Sequence, residues 1–247
     1  MTTPSLSTTA LLADAAEVAT TLGPLDEKRL WNLIYTLRER ATRDVFEAAA
    51  AWCASPEPVL RTVGADVLAE LGWEGGHPFA KESEPILLAL LNDQDSSVVE
   101  AAALALGSLG ADDTVTICRV AGHPANEVRV ALARSLCDLS GPSVIPTLIA
   151  LSGDADTEVR RLATSGLGGF DREDTETLRL ALVARLEDED SETREEAIFA
   201  LAQLGDERVE DALRTAQEEP ETSELVEMAA MAVESRRHPG RPLPRPN

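Results

Sequence analysis

Cations, aromatic rings and histidines are all in short supply, and each shortage closes off a class of function. The chain carries 22 Lys and Arg against 44 Asp and Glu, a formal net charge of −22. A groove for DNA or RNA needs cations to neutralise phosphates, so direct nucleic-acid binding is disfavoured and attraction to basic partners favoured. Lysine stops at Lys28 and Lys81, an arginine-for-lysine bias that suits a GC-rich bacterial genome and says nothing of mechanism. Aromatic residues make up 3% of the chain although 44% of it is hydrophobic. Alanine and leucine do the packing, which fits closely apposed helices and argues against a β-sandwich. Cys53, Cys118 and Cys137 form no CxxC and lie in apolar helical stretches, as buried reduced thiols do. No apolar segment reaches the roughly 18 residues of a membrane span. The N-terminal "MTTPSLSTTALLADAAEVATTLG" has no basic start and is broken by Asp14 and Glu17. No signal peptide is therefore expected, and a cytoplasmic location is.

What the chain does have is a period. Taking the arginine of each Val-Arg pair as position zero puts Arg61, Val99, Arg129, Arg160 and Arg194 in register, at spacings of 38, 30, 31 and 34 residues. Periods of about 20–50 residues mark solenoids. At minus six stand Ser55, Asp93, His123, Asp154 and Asp188, and at minus four Glu57, Asp95, Ala125, Asp156 and Asp190. Plus seven is Leu68, Leu106, Leu136, Leu167 and Leu201; plus ten is Leu71, Leu109, Leu139, Phe170 and Leu204. Plus three is small in Gly64, Ala102, Ala163 and Ala197, with Leu132 the departure. These three positions share one helical face, and the small residue lets a neighbouring helix approach. The Asp or Ser before each helix can accept hydrogen bonds from its free N–H groups. Gly72, Gly110 and Gly205 at plus eleven suit the left-handed residue that closes a helix. Each repeat reads as helix, tight turn, helix.

The motif D-x-D-x-x-V-R, followed by an Ala/Leu-rich helix and Gly, resembles the HEAT-repeat family, in particular its short bacterial phycobilin-lyase-type form. It is fullest in "DADTEVR" (Asp154–Arg160); "DEDSETR" (Asp188–Arg194) has Thr for Val, and "DQDSSVV" (Asp93–Val99) has Val for Arg. The resemblance covers about Arg43–Arg237 and implies an all-α superhelix, an α-solenoid of about six HEAT-like helix-turn-helix repeats. It also implies a ladder between adjacent repeats, which makes Asp154, Arg160, Asp188 and Arg194 structural. The expected organisation is an N-terminal helical cap over 1–42, the repeat array over 43–237, and a disordered Pro/Arg tail over 238–247. Cap helices fall near Leu6–Thr20 and Asp26–Arg40, and repeats end near Gly72, Gly110, Ser140, Phe170, Gly205 and Arg237. The sixth repeat, polar and without the acidic doublet, presents the solvated outer face that a terminal repeat needs.

Catalytic chemistry finds little purchase. His238 lies in the tail, His123 at a turn position, and His77 beside Trp73 in the long loop Gly72–Ser83; no ligand cluster of the kind a metal requires is apparent. There is no P-loop, GxGxxG after a strand or HExxH, and "SGLGG" (Ser165–Gly169) falls in the packed helix of repeat four. HEAT-like deoxyhypusine hydroxylase holds its di-iron centre with His-Glu dipeptides, and this sequence has none. HEAT-like alkylpurine DNA glycosylases use a cationic groove, and the charge here has the opposite sign. No catalytic residue, metal or cofactor is assigned.

Binding remains. In HEAT arrays the second helix of each repeat lines the concave face, and its solvent stripe is plus one, plus five and plus nine. Leu104, Val130 and Phe199 are apolar on that stripe, among charges such as Asp66, Glu70, Glu100, Arg134, Arg161 and Glu195. Apolar anchors within charge are how protein interfaces are built. Phe199 and Leu104 are the expected anchors; Arg134, Arg161, Asp66, Glu70 and Glu195 complete the candidate partner-binding set. Between Asp171 and Glu234 stand 21 Asp and Glu against six Arg, a net −15, densest in "LEDEDSETREE" (Leu186–Glu196). That run is either a solvated face or a dock for a basic protein, and Arg241 and Arg245 of the tail could fold back on it. The expected function is a non-catalytic scaffold presenting a concave, acidic surface to a protein with a basic surface, with no membrane or nucleic-acid role. Two alternatives stand beside it: an immunity-type inhibitor masking a basic enzyme such as a nuclease, and a subunit of a phycobilin-lyase-type enzyme. Oligomeric state is left open.

Overall fold

The computed structural model describes residues 7–21, 27–169, 172–219 and 222–238. All regular secondary structure among them is helical, and the chain divides into two units, Met1–Leu139 and Ser140–Asn247. The first unit opens with the hairpin α1 (Thr8–Thr21) and α2 (Glu27–Arg40), at the places where helices were expected near Leu6–Thr20 and Asp26–Arg40. Three repeat hairpins follow: α3 (Arg43–Cys53) with α4 (Pro58–Glu70), α5 (Ala80–Leu90) with α6 (Ser96–Ser108), and α7 (Thr114–Ile117) with α8 (Asn126–Asp138). The second unit holds α9 (Val144–Leu151) with α10 (Thr157–Leu167), α11 (Glu176–Arg185) with α12 (Ser191–Leu204), and α13 (Glu210–Gln217) with α14 (Glu224–Arg237). Each unit is thus a stretch of α-solenoid, and the sixth repeat forms its hairpin despite its polar sequence.

The second helices stack side by side, α4 on α6 on α8 in one unit and α10 on α12 on α14 in the other. Residues at plus three and plus seven make that stack. Leu68, Leu106, Leu136, Leu167 and Leu201 are all buried, as are Ala102, Leu132, Ala163 and Ala197. Each buried leucine is worth about 1.5–3 kcal/mol of transfer free energy. Gly64 shows how close the helices come: a Cβ there would lie 2.8 Å from the Ala49 carbonyl oxygen and from Cys53. A Cβ on Gly168 would lie 2.9 Å from Ala200 Cβ on α12. "SGLGG" therefore spans the last turn of α10 and its cap, with Gly168 at the close approach. Gly72, Gly110 and Gly205 close their repeats at φ 77°, 64° and 67°, the conformation glycine adopts without strain.

Repeat three departs from the pattern. Its first helix is α-helical only over Thr114–Ile117 and continues as a 3-10 helix to Gly122. Phe170 and the tail arginines Arg241 and Arg245 lie outside the described residues. At the end of α14, Arg236 donates to the Ala202 and Gln203 carbonyls at the end of α12, and Arg237 pairs with Glu210. Cations there complement the negative end of a helix dipole.

Candidate protein-binding face

The turns that launch the second helices share one construction. The side chain at minus six accepts a hydrogen bond from the backbone N–H at minus four in each of the first five repeats: Ser55 from Glu57, Asp93 from Asp95, His123 from Ala125, Asp154 from Asp156 and Asp188 from Asp190. His123 thus does the work of a turn aspartate through Nδ1. Asp95, Asp156 and Asp190 at minus four then cap their helices, accepting from Ser97, Val159 and Thr193 N–H.

The arginine at zero ties this turn down. Arg160 Nη1 donates to the Asp154 and Ala155 carbonyls of its own repeat, while Nε and Nη2 each reach Asp188 of the next at 3.0 Å. Arg61 does the same with the Ser55 and Pro56 carbonyls and with Asp93, at 2.7 and 2.8 Å. Burial works against ionised Asp188, but the Arg160 hydrogen bond and Arg185 more than offset it and hold its carboxyl below the usual range. Arg61 likewise depresses Asp93. Arg61 and Asp93 were not among the four ladder residues drawn from the family motif, although the zero and minus-six register contains both. Arg194 donates only to the Asp188 and Glu189 carbonyls of its own turn. Where the doublet is lost, Asp206 takes Arg179 and Arg208 instead, and the two arginines drive its carboxyl far below normal.

With the helices so fixed, plus one, plus five and plus nine form a stripe on each. In the first unit α4 contributes Thr62, Asp66 and Glu70, and α6 contributes Glu100 and the half-buried Leu104. Glu70 bonds Arg38 of α2 at 3.0 Å, and the Arg38 guanidinium lies 5.2 Å over the Tyr35 ring. Asp66 is half-buried with Glu70 and Glu100 as its charged neighbours. Burial first, then those two carboxylates, push it up to about 7. Burial and Glu127 of α8 raise Glu100 as well. Arg134 is exposed on α8.

In the second unit Arg161 of α10 is held by Glu158 at 2.7 Å and approached by Glu192 at 3.4 Å. Burial raises Glu196, with Arg161 and a Ser165 hydrogen bond opposing it. Phe199 is half-buried one turn beyond Glu195 on α12. Glu195, Arg194 and Ile198 line a groove of about 620 Å³ against Arg208, Asp211 and Val226 of the sixth repeat. The candidate set therefore falls into two groups: Asp66, Glu70, Leu104 and Arg134 in the first unit, Arg161, Glu195 and Phe199 in the second. Tyr35 and Arg38 of the cap helix went unremarked in the sequence, since neither belongs to the repeat register. Among the described residues no group of three or more His, Cys, Asp or Glu is placed to hold a metal ion, and no helix is long and apolar enough to cross a membrane.

Stacked helical hairpins with a buried Arg–Asp ladder define a helical-repeat solenoid, and comparisons identify the repeat. Residues 85–112 match the HEAT repeat, and residues 193–219 match the PBS lyase HEAT-like repeat. Two segments of the repeat array thus match HEAT-type repeats. Among solved structures, the X-ray structure of Escherichia coli YibA is similar at 20% identity with a TM-score of 0.73, covering 96% of this chain and 90% of that one. The complex of CpcE and CpcF of phycocyanin lyase from a Nostoc species is similar at 17% identity with a TM-score of 0.50, covering 95% and 96%. An engineered protein is similar at 19% identity with a TM-score of 0.52, covering 80% and 99%. At such identities the likeness establishes the fold. No curated protein matches the chain in sequence at a significant level.

Proposed function

We propose that the protein is a non-catalytic scaffold whose second-helix face receives a protein partner with a basic surface. One observation carries this reading: carboxylates recur on the plus-one, plus-five and plus-nine stripe of second helices in each unit, Asp66 and Glu70 on α4 and Glu100 on α6 in the first, Glu195 on α12 in the second, with Leu104 and Phe199 half-buried at plus five. Apolar anchors fix such a partner, and the −22 net charge steers it in and makes binding salt-sensitive. Leu104 and Phe199 are the proposed anchors, with Arg134 and Arg161 setting orientation at the rim. The division into cap, array and tail belongs to the same proposal. An inhibitor masking a basic enzyme uses the same physics with a tighter partner. Affinity capture at low and moderate salt tests it, with Phe199→Asp and a variant with arginines across Leu186–Glu196 as controls. A basic partner that is lost in either variant and weakened by salt is the expected outcome; the same partner retained by both variants refutes it.

The match of residues 193–219 to the PBS lyase HEAT-like repeat favours a second reading, one subunit of a lyase of the CpcE–CpcF kind. Incubation with a free bilin tests it. A visible absorbance band that stays with the protein through gel filtration supports it, and a colourless protein counts against it.

A further inference from the structure

We propose that the face running from Tyr35 across Glu70 and Asp66 to Glu100 is a seat for the arginine or lysine side chains of a basic peptide segment. This rests on the protein-binding reading and names the place and the chemistry within the first unit.

The seat draws on α2, α4 and α6. Trp31 and Tyr35 lie one turn apart on α2 with ring centroids 5.8 Å apart, and Tyr35 is 45% exposed in a chain with few aromatics. Arg38 already displays the geometry a cation adopts there: guanidinium over the Tyr35 ring at 5.2 Å and bonded to Glu70 at 3.0 Å. An aromatic face and a carboxylate together are how proteins hold guanidinium and ammonium groups. Beyond Arg38 the carboxylates continue. Asp66 faces Glu70 on its own helix, Glu100 from α6 and the Cys53 thiol from α3, while Arg38 from α2 is committed to Glu70. Glu74 also draws on Arg38, and Glu127 from α8 adds its charge to Glu100.

A second, independent feature is a hydroxyl on the same stripe that lacks a partner. Thr62 Oγ1, one turn before Asp66 on the same stripe, is fully buried with no hydrogen-bond partner among the described residues. Among the described residues no group hydrogen-bonds the half-buried Asp66 carboxyl either. Buried polar groups in folded proteins are nearly always satisfied. These two acceptors want donors, and a guanidinium offers five N–H groups, an ammonium three. A second copy of this chain, at net −22, is repelled from such a face, as are phosphates and anionic lipid.

The seat is also pH-gated. Burial, Glu70 and Glu100 keep the Asp66 proton on up to about pH 7. An arriving cation favours the carboxylate and expels that proton. Binding coupled to release of one proton strengthens with rising pH, by at most about tenfold per pH unit, between about pH 5 and 7, and levels off above.

The test uses the full chain and a fluorescein-labelled octapeptide of alternating Lys and Arg, followed by anisotropy at constant ionic strength from pH 5 to 8. Tyr35→Ala and Glu100→Gln should each weaken binding about tenfold or more. Asp66→Asn should flatten the pH dependence. Arg38→Gln should tighten binding by freeing Tyr35 and Glu70, and Leu180→Ala, at an exposed position of α11 in the second unit, should leave it unchanged. Helical content and thermal melts establish that each variant is folded. Unchanged affinity in folded Tyr35→Ala and Glu100→Gln overturns the seat. If Phe199→Asp then abolishes binding, the scaffold reading survives and only this location falls; if the wild type binds no peptide at any pH, both fall.

Discussion

Asp188→Ala removes the most heavily used carboxylate in the ladder. Asp188 accepts from Arg160 Nε and Nη2 at 3.0 Å, from Arg185 Nη1 at 3.1 Å and from the Asp190 backbone N–H at 3.1 Å. The side chains of Arg160 and Asp188 are only 7% and 4% exposed. Truncation leaves the Arg160 guanidinium buried, opposed only by Glu189, which is 83% exposed. Breaking one side of a buried pair costs about 3–5 kcal/mol. The substitution should therefore destabilise by about that amount, read as a lowered urea midpoint at unchanged m-value by circular dichroism. Asp93→Ala, whose pair with Arg61 is 12% and 16% exposed, should lose less. Glu82→Gln, at the half-exposed pair with Arg43, should lose least. The pH dependence has a definite sign. Asp188 is depressed in the folded state, so its contribution is complete above the unfolded carboxyl value of about 3.9 and disappears as pH falls through the folded value. Wild type should lose stability below about pH 4, and Asp188→Ala should lack that portion of the loss. A cost under about 1 kcal/mol, or a ranking that puts Glu82→Gln first, would falsify the account of the ladder as the clamp between repeats.

Asp66 titrates with the opposite sign: its folded value is raised to about 7, so ionisation on going up in pH costs stability. Asp66→Asn should be more stable than wild type, by a margin that widens by about 1.4 kcal/mol per pH unit from about 4 to 7 and then levels; urea melts at pH 5 and 8 read it. Gly64→Ala drives a Cβ to 2.8 Å from the Ala49 carbonyl and Cys53 and should cost about 1–3 kcal/mol by overpacking, measured as a fall in urea midpoint. Cys53 is buried, and that burial, with Asp66, pushes its thiol up to about 12. Native protein at pH 8 should react with iodoacetamide at Cys53 on the order of a hundredfold more slowly than urea-unfolded protein, followed by mass spectrometry.

The register of the chain determined the fold. A leucine at every plus seven, a small residue at plus three and glycine at plus eleven specify which face of each second helix is buried and where it ends. Helix periodicity is local, so composition and spacing suffice to read it. The sequence also supplied the arginine and aspartate of the ladder, because repeats place equivalent residues at equivalent points. What it could not supply was anything off the register. Whether Arg160 meets Asp188, 28 residues away, or Arg194 meets only its own turn, depends on how one hairpin stacks on the next. The coincidence of Tyr35 and Arg38 with Glu70 and Asp66 joins a cap helix to a repeat helix, and no spacing along the chain encodes it. The proton on Asp66 is likewise a tertiary property: an aspartate on a solvent stripe ionises freely until packing strips its water and sets Glu70 and Glu100 beside it. Local pattern built the helices; desolvation and the charge of two stacked helices, α4 and α6, set the proton on Asp66.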